Sequence, residues 1–143
     1  MIELPVGVRL VLASASPRRS ALLRSVGLQF EVIPADIDES VLPGEIPTAY
    51  VARLSAEKAA AVARRVGSEV IVVAADTTVD IDGLILEKPV DAGDARRMLG
   101  LLSGRTHLVH TAVTVLPGST VVVETAVEFV ELTPETVDWY VAT

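Results

Sequence analysis

Leu12-Ala13-Ser14-Ala15-Ser16-Pro17-Arg18-Arg19-Ser20 follows an apolar run over residues 8–12 and leads into a segment where Leu22, Leu23 and Val26 recur at helical spacing before Gly27. The run reads as a strand and the segment as a helix, so the junction is strand, hydroxyl-rich loop, helix. Ser16 suits the N-cap, where its oxygen accepts an orphan backbone N–H. Pro17 suits the first helical position, where a missing N–H costs nothing. The helix start thus aims free backbone donors into the loop. Arg18 and Arg19 fall in the first turn, where the macrodipole is positive and each cation costs roughly 0.3–1 kcal/mol. Two readings fit: solvated arginines after a capped start, or a helix start whose hydroxyl and guanidinium groups bind a phosphate.

Downstream, residues 29–35 alternate enough for a second strand, and Pro34 places it at an edge or ends it early. Asp36-Ile37-Asp38-Glu39 follows on a loop. It is read either as a solvated acidic turn or as carboxylates for a hard divalent cation, because Mg²⁺ takes one or two carboxylates and leaves its other positions to water and phosphate. A long helix is expected over residues 48–66, with Val51, Leu54 and Val62 on one stripe. Lys58 falls on that stripe, either snorkelling to solvent or placed as a point charge for a phosphate. Of twelve basic residues only Lys58 and Lys88 are lysine, which favours a particular use for them.

Residues 70–75, Val-Ile-Val-Val-Ala-Ala, form a continuous apolar run that reads as a strand buried on both faces of a parallel or mixed sheet. The strand is expected to stop at Asp76-Thr77-Thr78. That would put Asp76 just past its carboxyl end, where open α/β sheets place ligands; the other reading is a turn-capping aspartate. Residues 79–87 read as a hairpin turning at Asp82-Gly83, which delivers Glu87-Lys88-Pro89. Asp91 caps a helix reaching Leu102, with Ala95, Met98, Leu99 and Leu102 inward. A long strand from Arg105 puts His107 and Thr111 on one face and His110 on the other; His107 is read as a polar site residue or as hydrogen-bonded scaffold. Pro117-Gly118 turns the chain into a strand over residues 121–132, and Thr133-Pro134 starts a last helix.

Composition narrows the function classes. Half the chain is hydrophobic, so it is globular, and 143 residues suffice for one domain with a core. A net charge of −7 argues against a general nucleic-acid binder, leaving an anionic small ligand if cations gather locally. The absence of cysteine excludes disulfides, thiolate metal sites and a cysteine nucleophile. No secretory signal opens the chain and no apolar run nears the roughly 20 residues needed to cross a bilayer, so a cytoplasmic protein without a membrane partner is the expectation.

These residues together resemble the Maf family of nucleotide pyrophosphatases. The match runs through Ser14-Ala15-Ser16-Pro17-Arg18-Arg19, Glu39, Arg53-Leu54 with Lys58-Ala59, Ala75-Asp76-Thr77, Lys88-Pro89 and Leu102-Ser103-Gly104-Arg105-Thr106-His107, in family order. Any one motif is weak, and the ordered set is specific. Asp76-Thr77 and the Ser-Gly-Arg-Thr-His run look like the branch acting on dTTP and UTP. The resemblance implies an α/β fold, a mixed twisted sheet flanked by helices, related to the inosine triphosphate pyrophosphatases. It implies hydrolysis of a nucleoside triphosphate to monophosphate and pyrophosphate. By similarity Asp76 is the proton acceptor, and Arg18 and Thr77 help select the base. Ser14, Arg19, Lys58 and Lys88 join Arg18 and Thr77 as the expected substrate-binding set, with Glu39 as ligand to Mg²⁺, or Mn²⁺ in its place. Ala74, Ala112 and Glu87 stand where the family often has glycine. Family members also continue through a glycine-rich segment beyond the stretch matched here, so residues 1–143 are expected to be a single domain, incomplete at its carboxyl end. An open sheet edge allows a homodimer. The competing reading is a non-catalytic nucleotide-binding regulator of cell division.

Overall fold

The computed structural model describes residues 1–143. The elements are β1 (Arg9–Leu12), α1 (Pro17–Ser25), β2 (Glu31–Val32), α2 (Pro47–Val66), β3 (Val70–Ile81), β4 (Leu84–Leu86), α3 (Ala92–Leu102), β5 (Thr106–Leu116), β6 (Thr120–Glu128) and α4 (Pro134–Ala142). The strands make one sheet in the order β2-β1-β3-β5-β6, with β4 also paired to β3. β1 runs parallel to β2 and to β3, whereas β3–β4, β3–β5 and β5–β6 are antiparallel. The expected mixed α/β sheet is therefore what the chain forms.

β3 corrects one expectation. It does not stop before Asp76 but continues to Ile81, because β5 pairs with it from Val72 opposite Leu116 to Asp80 opposite Leu108. Its parallel partner is short: the last β1–β3 pair is Leu12 with Val73. Asp76 thus lies beyond the carboxyl end of the parallel half while its own strand runs on. The ligand position expected of an open α/β sheet is kept, and the reason is the end of β1, not of β3.

α2 covers the sheet. Ala59 and Val62 pack with Val11, Ala13, Val70, Val72 and Ala74, and Tyr50, Val51 and Leu54 pack with Ala112. The three- and four-residue steps of Val51, Leu54 and Val62 put them on one helix face, each contributing about 1.5–3 kcal/mol on burial. Ala13, Ala59, Ala74 and Ala112 are fully buried. Alanine at 74 and 112 keeps the small side chain that close helix-on-sheet contact requires.

Two further expectations are trimmed. β2 pairs only through Glu31 and Val32, plus Ile33 N–H to the Leu12 carbonyl at 3.0 Å, because β1 itself ends at Leu12; β2 is an edge strand, and Pro34 stands where an N–H would face away from β1. α1 forms, but its apolar stripe is not a buried face: Leu22 is 67% exposed and only Ser20 is buried. This helix rests on its capped start. The β3–β4 turn is as expected, with positive φ at both Asp82 and Gly83, the conformation an Asp-Gly type I′ turn needs. No helix is long and apolar enough to cross a membrane.

Candidate functional site

The cleft opens where β1 ends and α1 begins. Ser16 caps α1 by accepting the Arg19 N–H at 3.4 Å, and the Ser14 hydroxyl oxygen accepts the Ser16 N–H at 3.1 Å. Arg19 then folds back over the loop. Its guanidinium donates to Ser14 Oγ and to Thr77 Oγ1, both at 3.4 Å, and Thr77 Oγ1 lies 3.0 Å from Thr111 Oγ1. A first-turn arginine is thereby drawn away from the helix dipole and laid across to β3. Burial lowers its pKa while the nearby Asp76 carboxylate opposes that, and a guanidinium stays charged throughout.

Under this loop, α2 and β3 build the acidic half. Lys58 does not snorkel to solvent: its side chain is only 13% exposed, and Nζ donates to Asp76 Oδ1 at 3.0 Å and pairs with Glu39 Oε1 at 2.9 Å. One ammonium thus holds two carboxylates that would otherwise repel. Asp76 is buried, and burial pushes its carboxyl above the ordinary carboxylate range against the pull of the Lys58 hydrogen bond and charge. Glu39 is half exposed, midway along the loop between β2 and α2. No group of three or more His, Cys, Asp or Glu side chains gathers here or elsewhere. The donor set is two carboxylates, which suits a cation that keeps water and phosphate ligands and does not suit an all-protein cage.

A cavity of about 570 Å³ takes in Ser14, Arg18, Arg19, Lys58, Asp76 and Lys88. A second, of about 460 Å³, shares Glu39, Asp76, Thr77 and Lys88 with it and adds Tyr50, Val79 and Leu86. The first wall is cationic and hydroxylic, the second half apolar. No ion pair engages Arg18, Arg19 or Lys88. All eight residues singled out in the sequence, Ser14, Arg18, Arg19, Glu39, Lys58, Asp76, Thr77 and Lys88, line the first cavity.

His107 lies outside both cavities, buried edge-on against Phe129 with ring centroids 5.0 Å apart; its Nδ1 has no hydrogen-bond partner, so it is packed in place and not the hydrogen-bonded scaffold expected. His110 Nε2 is 2.8 Å from Asp80 Oδ2, and Asp80 Oδ1 accepts the Gly83 N–H at 2.7 Å, which ties β5 to the β3–β4 turn. Sequence reasoning missed Tyr50, on the cavity wall, and gave Arg53 no role. Residue types carried no signal for either, because both donate to backbone carbonyls of the loop.

Fold and site define a class: an α/β protein with a cleft that pairs a cationic, hydroxyl-lined wall with a buried carboxylate, suited to an anionic ligand. Comparison with known proteins narrows it. The family model described as Maf-like protein matches residues 9–143. Anaeromyxobacter dehalogenans has a dTTP/UTP pyrophosphatase that is 51% identical, over 94% of this chain and 71% of that protein. The dTTP/UTP pyrophosphatase of Chromobacterium violaceum is 48% identical over the same shares. Among solved structures, the Staphylococcus aureus Ham1 protein superposes with a TM-score of 0.55 at 16% identity, covering 83% of this chain and 69% of that one, a likeness of fold. The chain belongs to the Maf family.

Proposed function

We propose that this chain is a nucleoside triphosphate pyrophosphatase that hydrolyses dTTP and UTP to the monophosphate and pyrophosphate. The observation that carries the reading is Asp76, a buried carboxylate held at 3.0 Å by Lys58 in a cavity shared with Ser14, Arg18, Arg19 and Lys88. Relatives at about half identity that bear the dTTP/UTP pyrophosphatase name supply the substrates.

The residues divide the work on chemical grounds. Water attacking the α-phosphorus must lose a proton, and Asp76 accepts it; the raised pKa makes it a stronger base than an exposed aspartate. The α–β phosphoanhydride bond breaks as the new P–O bond forms, and charge grows on the departing pyrophosphate. Arg19, Lys58 and Lys88 stabilise that charge, with Ser14 and the backbone N–H groups at the start of α1 donating to phosphate oxygens. Arg18 and Thr77 contact the nucleoside and take part in base selection. Glu39 and Asp76 would hold a divalent cation, Mg²⁺ or Mn²⁺, which when bound supplies positive charge to the phosphate oxygens.

Asp76→Asn tests the assignment. Turnover of dTTP falls by roughly 10²–10⁴-fold, the usual size of a general-base contribution, while dTTP binding measured by calorimetry is retained. Hydrolysis at the wild-type rate in this variant would remove Asp76 from the chemistry.

A further inference from the structure

We propose that Tyr50 and Arg53 form a positioning clamp that sets the peptide of Glu39, and through it the carboxylate, at the cation site. The inference rests on the reading of Glu39 as a cation ligand.

Glu39 sits on a loop between β2 and α2, and loops of this kind do not by themselves hold a carboxylate in one place. Tyr50 Oη donates to the Glu39 carbonyl at 2.6 Å, and Arg53 Nη2 donates to the next carbonyl, that of Ser40, at 2.9 Å. Two consecutive peptides are therefore bonded by side chains one turn apart on α2. The same helix presents Lys58 to Glu39 Oε1 at 2.9 Å. Backbone and carboxylate of one residue are thus referred to one rigid element.

The clamp is itself held. Tyr50 is buried with Val51, Leu54 and Ala112. Burial and the surrounding carboxylates of Asp76, Glu87 and Glu39 push its phenol up to about 12, so it remains a donor at neutral pH. Glu45 fixes Arg53 in a fork, with Nε to Oε2 at 2.7 Å and Nη2 to Oε1 at 2.9 Å. That geometry belongs to a guanidinium and not to an ammonium. Apolar contacts of Ile37 and Val41 with the Tyr50 cluster also hold the loop down. The two hydrogen bonds therefore act on where Glu39 stands more than on whether the loop packs.

The test is Mn²⁺ binding to the full chain without nucleotide, read by electron paramagnetic resonance, for Tyr50→Phe, Glu39→Gln and the double variant. Tyr50→Phe keeps the ring in the core, so its Tm stays within a few degrees of wild type. Its Mn²⁺ affinity falls about three- to tenfold, the weight of one hydrogen bond. In the Glu39→Gln background the same change costs nothing further, because the two act as a unit. Turnover of Tyr50→Phe recovers at saturating Mg²⁺ to within about threefold of wild type, which a loss of packing would not allow. Arg53→Met weakens Mn²⁺ binding in the same coupled way but also strips Glu45 of its partner and lowers Tm, so Tyr50→Phe decides. Unchanged Mn²⁺ affinity in Tyr50→Phe, an equal loss in both backgrounds, or wild-type affinity in Glu39→Gln would overturn the clamp. Binding needs no turnover, so a chain that couples Tyr50 to Glu39 yet hydrolyses nothing would refute the pyrophosphatase reading alone.

Discussion

Asp76, Lys58 and Glu39 are brought together at a cost to the fold. Because burial raises the Asp76 pKa in the folded state, the folded chain binds that proton more readily than the unfolded one. Folding stability attributable to this group therefore falls as pH rises from the unfolded to the folded pKa, and at neutral pH the ionised carboxylate is a net burden. Asp76→Asn should then melt at a higher temperature than wild type at pH 7. The difference should vanish in acid below the ordinary carboxylate pKa, where both side chains are neutral; a lower Tm at pH 7 would contradict the assigned direction. Lys58 carries a second prediction. Its ammonium occupies the approach shared by the two carboxylates, so Lys58→Met should tighten Mn²⁺ binding without nucleotide by about tenfold and weaken dTTP binding. Looser Mn²⁺ binding would mean that the lysine supports the cation site instead of competing for it.

β3 and α2 carry the site, and they explain what could be read in advance. Caps and turns were legible because their chemistry is local: Ser16-Pro17, Asp91, Thr133-Pro134 and Asp82-Gly83 all stand where the structure uses them. The buried run at residues 70–75 announced a central strand, but its continuation through Asp76, Thr78 and Asp80 was not legible. Those polar residues are buried because β5 pairs beside them and α2 covers them, and a single sequence does not reveal strand partners. The eight candidate residues were legible partly from local chemistry, at the helix start, the acidic loop, the two lysines and Asp76, and as a set from motif order in the family. Their mutual distances came from the sheet, above all the three-residue step from the last β1–β3 pair to Asp76. Tyr50 and Arg53 stayed hidden because their partners are backbone carbonyls of a loop, which leave no trace in residue types. The Asp80–His110 tie offers a test of the hairpin that delivers Lys88. His110→Ala leaves a buried carboxylate oxygen without its partner and should cost on the order of 2–3 kcal/mol in urea denaturation. A change within about 0.5 kcal/mol would show that the tie is not structural.

Across the molecule, an acidic chain gathers four of its cations in one place. The chain carries −7 overall, yet Arg18, Arg19, Lys58 and Lys88 line one cavity with only Lys58 engaged in ion pairs. That contrast disfavours a polyanion lying along the surface and favours a compact polyphosphate seated at the start of α1. The adjoining half-apolar cavity has room for a base and sugar beside it. The measurement that bears most directly on this account is a product assay of the 143-residue chain with Mg²⁺ and dTTP, UTP, CTP and GTP in parallel, resolving monophosphate, diphosphate, pyrophosphate and phosphate. Monophosphate and pyrophosphate are expected in equal amounts from dTTP and UTP, with CTP and GTP turned over far more slowly. Diphosphate with inorganic phosphate, or bound nucleotide left intact, would contradict it.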